Sequence, residues 1–354
     1  MVILVRSLVL LVIFIVSCSV EENEDTSVEV HEIEAEMIHL LITSESSSDI
    51  VSPAEIKGVT GGFLLYDSGL QKIFKFDSDG NQLFEFGSAG DGPGEIGEFF
   101  GFWEVESGYL VYDRSNAKFI KYDLQGNLLE DILIEFDDFP LLPVKIEVID
   151  LHQIIVPTHG REESLLTFVD LEYNDTYSVG EAVGEYVSTI DPEEMHQAIT
   201  SGRIPAFMQN IVMVSSNSTG VFSFQQTTAI LEKFSSSGEL IWQKNLKIPA
   251  IDGLFNHIFS ENRRRITTGE FLLSFNYGID ISANEEGVAV LLNMLEDQPV
   301  RVVWIPNNGE KITTFHFQSL ENERQMTFTL SDDGSHAFFV NTLEGTIYKT
   351  DLPL

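Results

Sequence analysis

A single cysteine, Cys18, stands in a chain of 354 residues, so no disulfide can staple the fold and stability must come from a packed core. Positive charge is scarce as well: 20 Lys and Arg face 56 Asp and Glu, a formal net charge of −36. A surface of that sign repels phosphate backbones and anionic headgroups, which argues against nucleic acid as a partner. It suits solubility in salty or extracellular surroundings. The apolar run near the start, Leu8–Val16, falls far short of the roughly 20 residues that span a bilayer as a helix. Catalytic signatures are also missing: there is no His-Glu-x-x-His, no Gly-x-Ser-x-Gly and no Cys/His spacing suited to a metal. The histidines (His31, His39, His152, His159, His196, His257, His316 and His336) are scattered, and only convergence from distant segments would make a site of them. What the chain does have is 43% apolar residues and 26 Phe, enough for the core of one large domain.

It also has a repeat. Gly62–Leu83, GFLLYDSGLQKIFKFDSDGNQL, returns 46 residues later as Gly108–Leu129, GYLVYDRSNAKFIKYDLQGNLL, with ten of 22 positions identical and no gap. Each copy reads as short β-favouring runs joined by turns, Phe63–Tyr66, Lys72–Phe76 and Gln82–Phe86 in the first. The Asp-x-x-Gly-Asn segments are turn chemistry, with Asp bonding its own backbone and Gly taking positive φ. No helix-period segment intervenes, so the unit is an antiparallel meander, and a period near 45 residues is that of a propeller blade.

Weaker copies follow. Ile154–Val156 with Leu165–Asp170 marks a third unit, and Gly220–Phe224, Ala229–Phe234 and Leu240–Leu246 a fourth. Val288–Leu292, Val300–Ile305 and Lys311–Phe317 mark a fifth, and His336–Asn341 with Thr346–Asp351 a sixth that ends one strand short. Ala35–Thr43 is a β-capable run without a partner of its own, so it is expected to supply that outer strand and close the ring. The expectation is an all-β, six-bladed β-propeller over residues 28–354, its ring closed by an N-terminal strand, with short helical insertions on one face.

The N-terminus reads as a leader. Arg6 is a positive n-region, Leu8–Val16 the apolar h-region, and Ser17 the small residue before a cut. Ile15-Val16-Ser17-Cys18 resembles the lipobox of bacterial lipoproteins, which implies a signal peptide over residues 1–17 and a lipid on Cys18. An ordinary signal peptide with a stray thiol is the other reading. Residues 18–27 are then an acidic tether. Its SVEENEDT run is similar to the surface-export signal of Bacteroidetes-type lipoproteins, or is simply a solvated spacer. The location implied is the cell envelope, as an outer-membrane lipoprotein facing the periplasm or the outside.

A second resemblance lies in Phe86-Gly87-Ser88-Ala89-Gly90-Asp91-Gly92-Pro93-Gly94-Glu95 and Phe99. It looks like the Gly-x-x-Gly-x-Gly-Pro-Gly-Glu-Phe linker of the six-bladed propeller lipoproteins of Bacteroidetes and relatives, in the broader NHL-repeat and TolB-like group. Here Ile96-Gly97-Glu98 interrupts it. The resemblance implies fold and location and little chemistry.

Connections decide where function sits. Strand-d-to-a and b-to-c connections leave a blade on one face, a-to-b and c-to-d turns on the other. The long stretches Gly87–Phe102, Gly180–Asn210 and Pro249–Tyr277 all belong to the first face, the place for binding on a rigid scaffold. Asp191-Pro192-Glu193-Glu194 predicts a helix start, with Gly202 its end. A second helix is expected from Asp252, with Leu254, Phe255, Ile258 and Phe259 packing on the rim and Arg263-Arg264-Arg265 at its end. Those arginines either complement the helix C-terminus and surface carboxylates, or join His159 and Arg161 in an anion site at the channel mouth. Asp91 and Glu95 are residue types that hold Ca²⁺ with backbone carbonyls, though without EF-hand spacing; no cofactor is otherwise expected. Tyr66, Asp67, Tyr112 and Asp113 recur, which marks them as scaffold. The leading expectation is a non-catalytic module binding an envelope protein or a small anionic ligand. A metal-dependent hydrolase or lyase at the channel mouth is the alternative, and assembly beside an outer-membrane transporter a third.

Overall fold

A computed structural model of the chain describes residues 30–34, 38–43, 50–134, 145–173, 175–184, 186–187, 191–246, 249–293, 295, 298–317 and 326–352. The expected leader, Cys18 and the expected acidic tether lie outside these residues. The first strands, β1 (Val30–Glu34) and β2 (Ile38–Thr43), are outer strands of the last two blades. The first blade is β3 (Pro53–Val59), β4 (Gly62–Asp67), β5 (Lys72–Phe76) and β6 (Gln82–Phe86). The second is β7 (Phe99–Val105), β8 (Gly108–Asp113), β9 (Lys118–Tyr122) and β10 (Leu128–Leu133). The third holds β11 (Glu147–Val148), β12 (Gln153–Pro157), β13 (Ser164–Asp170) and β14 (Asp175–Glu181). Helix α1 (Pro192–Thr200) leads to the fourth: β15 (Val212–Asn217), β16 (Gly220–Gln225), β17 (Ile230–Phe234) and β18 (Leu240–Asn245). Helix α2 (Pro249–Thr268) leads to the fifth: β19 (Gly278–Asn284), β20 (Gly287–Leu292), β21 (Val300–Pro306) and β22 (Ile312–Phe317). The sixth is β23 (Met326–Leu330), β24 (His336–Asn341) and β25 (Thr346–Asp351).

Each blade is an antiparallel meander, and β2 pairs antiparallel with β25 to complete the sixth, as the unpartnered N-terminal run required. β1 is a feature the sequence did not signal: it adds in parallel to β22 as a fifth, outermost strand of the fifth blade. The N-terminal segment thus ties two neighbouring blades together.

Recurring residues do recurring structural work. Gly62, Gly108 and Gly220 open the second strand of their blades at φ of 148°, 146° and 149°. A Cβ on Gly62 would stand 2.1 Å from the Phe76 carbonyl oxygen, so no side chain fits there. The Asp67 carboxylate accepts from the amides of Val51, Ser52, Gly69 and Leu70, which ties the b-to-c turn to the strand entering the blade. Asp113 repeats this with Gly97, Glu98, Ser115 and Asn116.

The core lies between blades. Six apolar clusters fill the six interfaces, for example Leu64, Tyr66 and Phe86 against Tyr109 and Val111, and Phe63 and Phe76 against Phe338 and Ile347. Helix α1 starts where its sequence says: Asp191 caps it by accepting from Glu193 and Glu194, with Pro192 in the first turn. It ends in a Schellman turn at Gly202, with Gly202 N–H bonded to Ile199 O and Arg203 N–H to Ala198 O. Helix α2 is longer than expected at both ends. Leu254, Phe255 and Ile258 are buried, and Phe255 stacks on Tyr277 at 3.8 Å between ring centres. The loop expected over Gly87–Phe102 closes at Glu98, because Phe99–Phe102 already belong to β7, the inner strand of its blade.

Candidate functional site

The first strand of each blade lines the central channel, entering from the face that carries the long connections and both helices. At that end lies a cavity of about 270 Å³, lined by residues from all six inner strands and by His159 and Gln226 from b-to-c turns. Strand pairing sets equivalent positions in the six blades. Lys57 lies opposite Leu64, Trp103 opposite Leu110, Glu147 opposite Ile155, Ser215 opposite Phe222, Ser282 opposite Ala289, and Thr329 opposite Phe338. These six form one ring, and all line the cavity.

Four members of the ring use one bonding rule. Each side chain accepts from the backbone amide one residue past the ring position in the following blade: Glu147 from Ser216 at 3.2 Å, Ser215 from Ala283 at 3.0 Å, Ser282 from Leu330 at 3.0 Å, and Thr329 from Gly58 at 2.7 Å. Lys57 and Trp103 carry no acceptor and turn instead to Glu147. Lys57 Nζ reaches its carboxylate oxygens at 3.3 and 3.2 Å, and Trp103 Nε1 donates at 3.0 Å. Ser216 Oγ adds a bond at 2.8 Å, so this carboxylate is fully engaged.

Two residues earlier in each blade stands a second ring nearer the mouth: Glu55, Gly101, Met213, Asp280 and Thr327 on the same face of their strands, and Lys145 just before β11. Asp280 is anchored, accepting from Thr327 Oγ1, from Phe328 N at 3.3 Å and from its neighbour Ile281 N at 3.0 Å. Lys145 lies between carboxylates, its Nζ 3.7 Å from Glu55 and 3.8 Å from Asp280. Both separations exceed hydrogen-bond length. The Lys145 side chain is 60% exposed to the channel, whereas those of Glu55 and Asp280 are 23% and 13% exposed. Burial pushes the Glu55 carboxyl up, opposed by Lys145, while Asp280 and then Glu55 hold Lys145 firmly charged.

His159 is set apart by its backbone. Among the described residues, five non-glycine residues have positive φ, and four of them, Gln71, Ala117, Glu163 and Ala229, end the b-to-c turns of the first four blades. The fifth is His159, at φ 56°, followed by Gly160 at φ 87°. Gly160 packs on Asn210, whose amide bonds both backbone groups of Val183, so the turn is held against the long connection before β15. Burial lowers the affinity of the His159 imidazole for a proton.

The other residues singled out from the sequence stand elsewhere. Arg161, in a short 3-10 turn, lies 5.9 Å over the Tyr186 ring and is not among the cavity's lining residues. Arg264 pairs with Glu261 and Glu270, and Arg265 with Glu261 and the Phe271 carbonyl. Arg263 bonds Ile199 O at 3.3 Å, linking the two helices. The three are thus engaged on the helices and are not brought together with His159. Glu95 accepts from Gly92 N within its own loop, and Asp91 from Asn116. Among the described residues, no three His, Cys, Asp or Glu side chains converge as metal ligands. Glu55, Lys57, Trp103, Lys145, Glu147 and Asp280 were not singled out from the sequence. Laying the 46-residue ruler over the inner strand would have found the first pairings, since Glu55 then falls on Gly101 and Lys57 on Trp103.

Residues 18–233 match the profile of a family described as a 6-bladed beta-propeller. Two solved structures share the fold. One is a Bacteroides fragilis protein described as exported, 12% identical over 91% of this chain and 98% of that one, TM-score 0.53. The other is a DUF4221-family member from Bacteroides vulgatus, 10% identical over 90% and 96%, TM-score 0.54. At such identities the likeness is one of fold. No curated protein matches the chain.

Proposed function

The chain belongs to this six-bladed β-propeller family, and on that footing we propose that it is a binding module of the cell envelope, held to a membrane by a lipid on Cys18, that seats a small polar ligand in the first-face mouth of its channel. The observation that carries the binding site is the ring of Glu55, Lys145 and Asp280: charged groups facing an open cavity, with the ammonium 3.7 and 3.8 Å from the two carboxylates, longer than a hydrogen bond. Deeper in the channel, charges are spent on one another and on backbone donors, as at Glu147, which favours holding a ligand over moving protons. The anchor is supported by the Ile15-Val16-Ser17-Cys18 run and the acidic segment that follows it.

Thermal-shift screening of the mature protein against small amines, organic acids, sugars and dipeptides tests the binding site. At least one compound is expected to raise the melting temperature of the wild type and to lose that effect in Glu55→Gln. A shift unchanged by the substitution places the ligand elsewhere, and no shift across the panel counts against the reading. For the anchor, Cys18→Ala is expected to release the protein from membranes; unchanged membrane attachment and processing would refute it.

A further inference from the structure

We propose that the channel-mouth ligand is a small organic cation carrying a primary ammonium or guanidinium group, and that the Lys145 ammonium is its built-in competitor. This rests on the reading of the mouth as a binding site and adds the ligand's chemical class.

Charge comes first. The two rings hold three carboxylates, Glu55, Glu147 and Asp280, against two lysines, in a chain with a net charge of −36. Lys57 is committed to Glu147 at 3.2 Å. Glu55 and Asp280 therefore share Lys145, at 3.7 and 3.8 Å. Asp280 accepts three hydrogen bonds, yet the two carboxylate charges are met by one cation beyond hydrogen-bond distance, so a better-placed cation would be favoured there. An anion drawn to Lys145 would meet Glu55 and Asp280 at close range and be repelled.

Displacement exchanges one cation for another. The Lys145 side chain is 60% exposed, and its three donors are not held at hydrogen-bond length by either carboxylate. Swinging the ammonium into the channel gives up its attraction to Asp280 and Glu55, which an incoming cation restores, and leaves a space of its own shape, suited to another ammonium.

Phe100 and Trp103 line the cavity, but Arg114 and Lys57 already stand 4.9 and 5.4 Å from their ring centres, so the carboxylates and not the aromatic faces set the ligand's charge. Gly101 takes the second blade's place in the upper ring, and the Trp103 indole covers it, 2.6 Å from where a Cβ would stand. The lining residues surround about 270 Å³, room for a ligand of amino-acid or diamine size.

Calorimetric titration of the mature protein with 1,5-diaminopentane, glutarate, 1,5-pentanediol and Ca²⁺ tests this. The diamine is expected to bind. Lys145→Met should tighten it about fivefold or more by removing the competitor, with Lys145→Gln as a second variant should the first fail to fold. Glu55→Gln and Asp280→Asn should each weaken it about tenfold. Loss of diamine binding in both Lys145 variants would overturn the competitor role. Binding of glutarate, the diol or Ca²⁺ in place of the diamine, abolished by Glu55→Gln, would overturn the cation assignment while keeping the mouth as a site. Failure of all four probes also overturns the inference, and a panel hit of another class would then show that the broader reading survives alone.

Discussion

Lys57 and Trp103 stand at the same strand position one 46-residue repeat apart, and they touch: Lys57 Nζ lies 5.4 Å from the centre of the Trp103 ring. Both then converge on Glu147, the equivalent residue of the third blade. Three consecutive blades thus place a cation, an aromatic and a carboxylate at one level of the channel, where the other three place hydroxyls. Divergence between repeats, not their likeness, builds the polar lining.

Glu147→Ala would leave Lys57, Trp103 Nε1 and both donors of Ser216 without their acceptor. A loss of about 3–5 kcal/mol in stability is expected, as for breaking a buried ion pair. Glu147→Gln keeps one acceptor oxygen and should lose about 1–3 kcal/mol. Denaturant unfolding of the two variants checks this, and equal, small losses would show that the bonds to Glu147 are not structural.

Asp67 and Asp113 play one role in two blades, so alanine at either should cost a similar amount, about 2–4 kcal/mol, through four orphaned donors. Burial works against the ionised Asp113 carboxyl, but the bonds from Asn116, Gly97, Glu98 and Ser115 together lower its proton affinity. The folded form therefore favours the ionised group. Its contribution is present above the unfolded value of about 3.9 and is lost as pH falls further. The gap between wild type and Asp113→Ala should narrow below about pH 4, as read by thermal melts.

Lys75 is buried, donates to the Thr60 carbonyl at 2.9 Å, and is pushed down by burial to about 8 against the opposing fields of Glu104, Asp332 and Asp77. The folded chain then holds fewer protons than the unfolded one between about pH 8 and 10.4, so stability from this lysine rises with pH there. The stability of the wild type minus that of Lys75→Met should climb across that window. A flat difference would mean that Lys75 titrates as a free lysine.

Ring closure rests on β2. A chain beginning at Ile38 loses β1 but keeps the strand that completes the sixth blade, and should melt close to the wild type. A chain beginning at Ile50 loses both and bares the edge of β25, so it should aggregate or melt lower by about 10 °C or more. Similar melting of the two would place closure elsewhere.

The sequence carried the fold through its turns. Asp77 and Asp123 with Gly80 and Gly126 mark c-to-d turns, and the ring needed one strand that only the N-terminus could offer. Inner strands were harder to read because they face a polar channel and lose the alternation that betrays a strand; β11 is just Glu147–Val148. Lys57 over Trp103 and Glu55 over Gly101 look like failed repeat matches until the register shows them side by side. The arginine run was legible as the end of a helix, but only the folded chain draws Glu261 and Glu270 onto it. β1 could not be foreseen, since parallel addition at an outer edge has no turn to announce it.

The most direct test of a ligand in the channel mouth uses the scarcity of thiols. In protein whose Cys18 is lipidated or replaced, Met213→Cys puts a lone thiol in the upper ring and Leu83→Cys one on the exposed outer strand of the first blade. A compound that stabilises the protein should slow labelling at position 213 by about fivefold or more and leave position 83 unchanged. Equal labelling rates at position 213 with and without a saturating ligand would contradict the site.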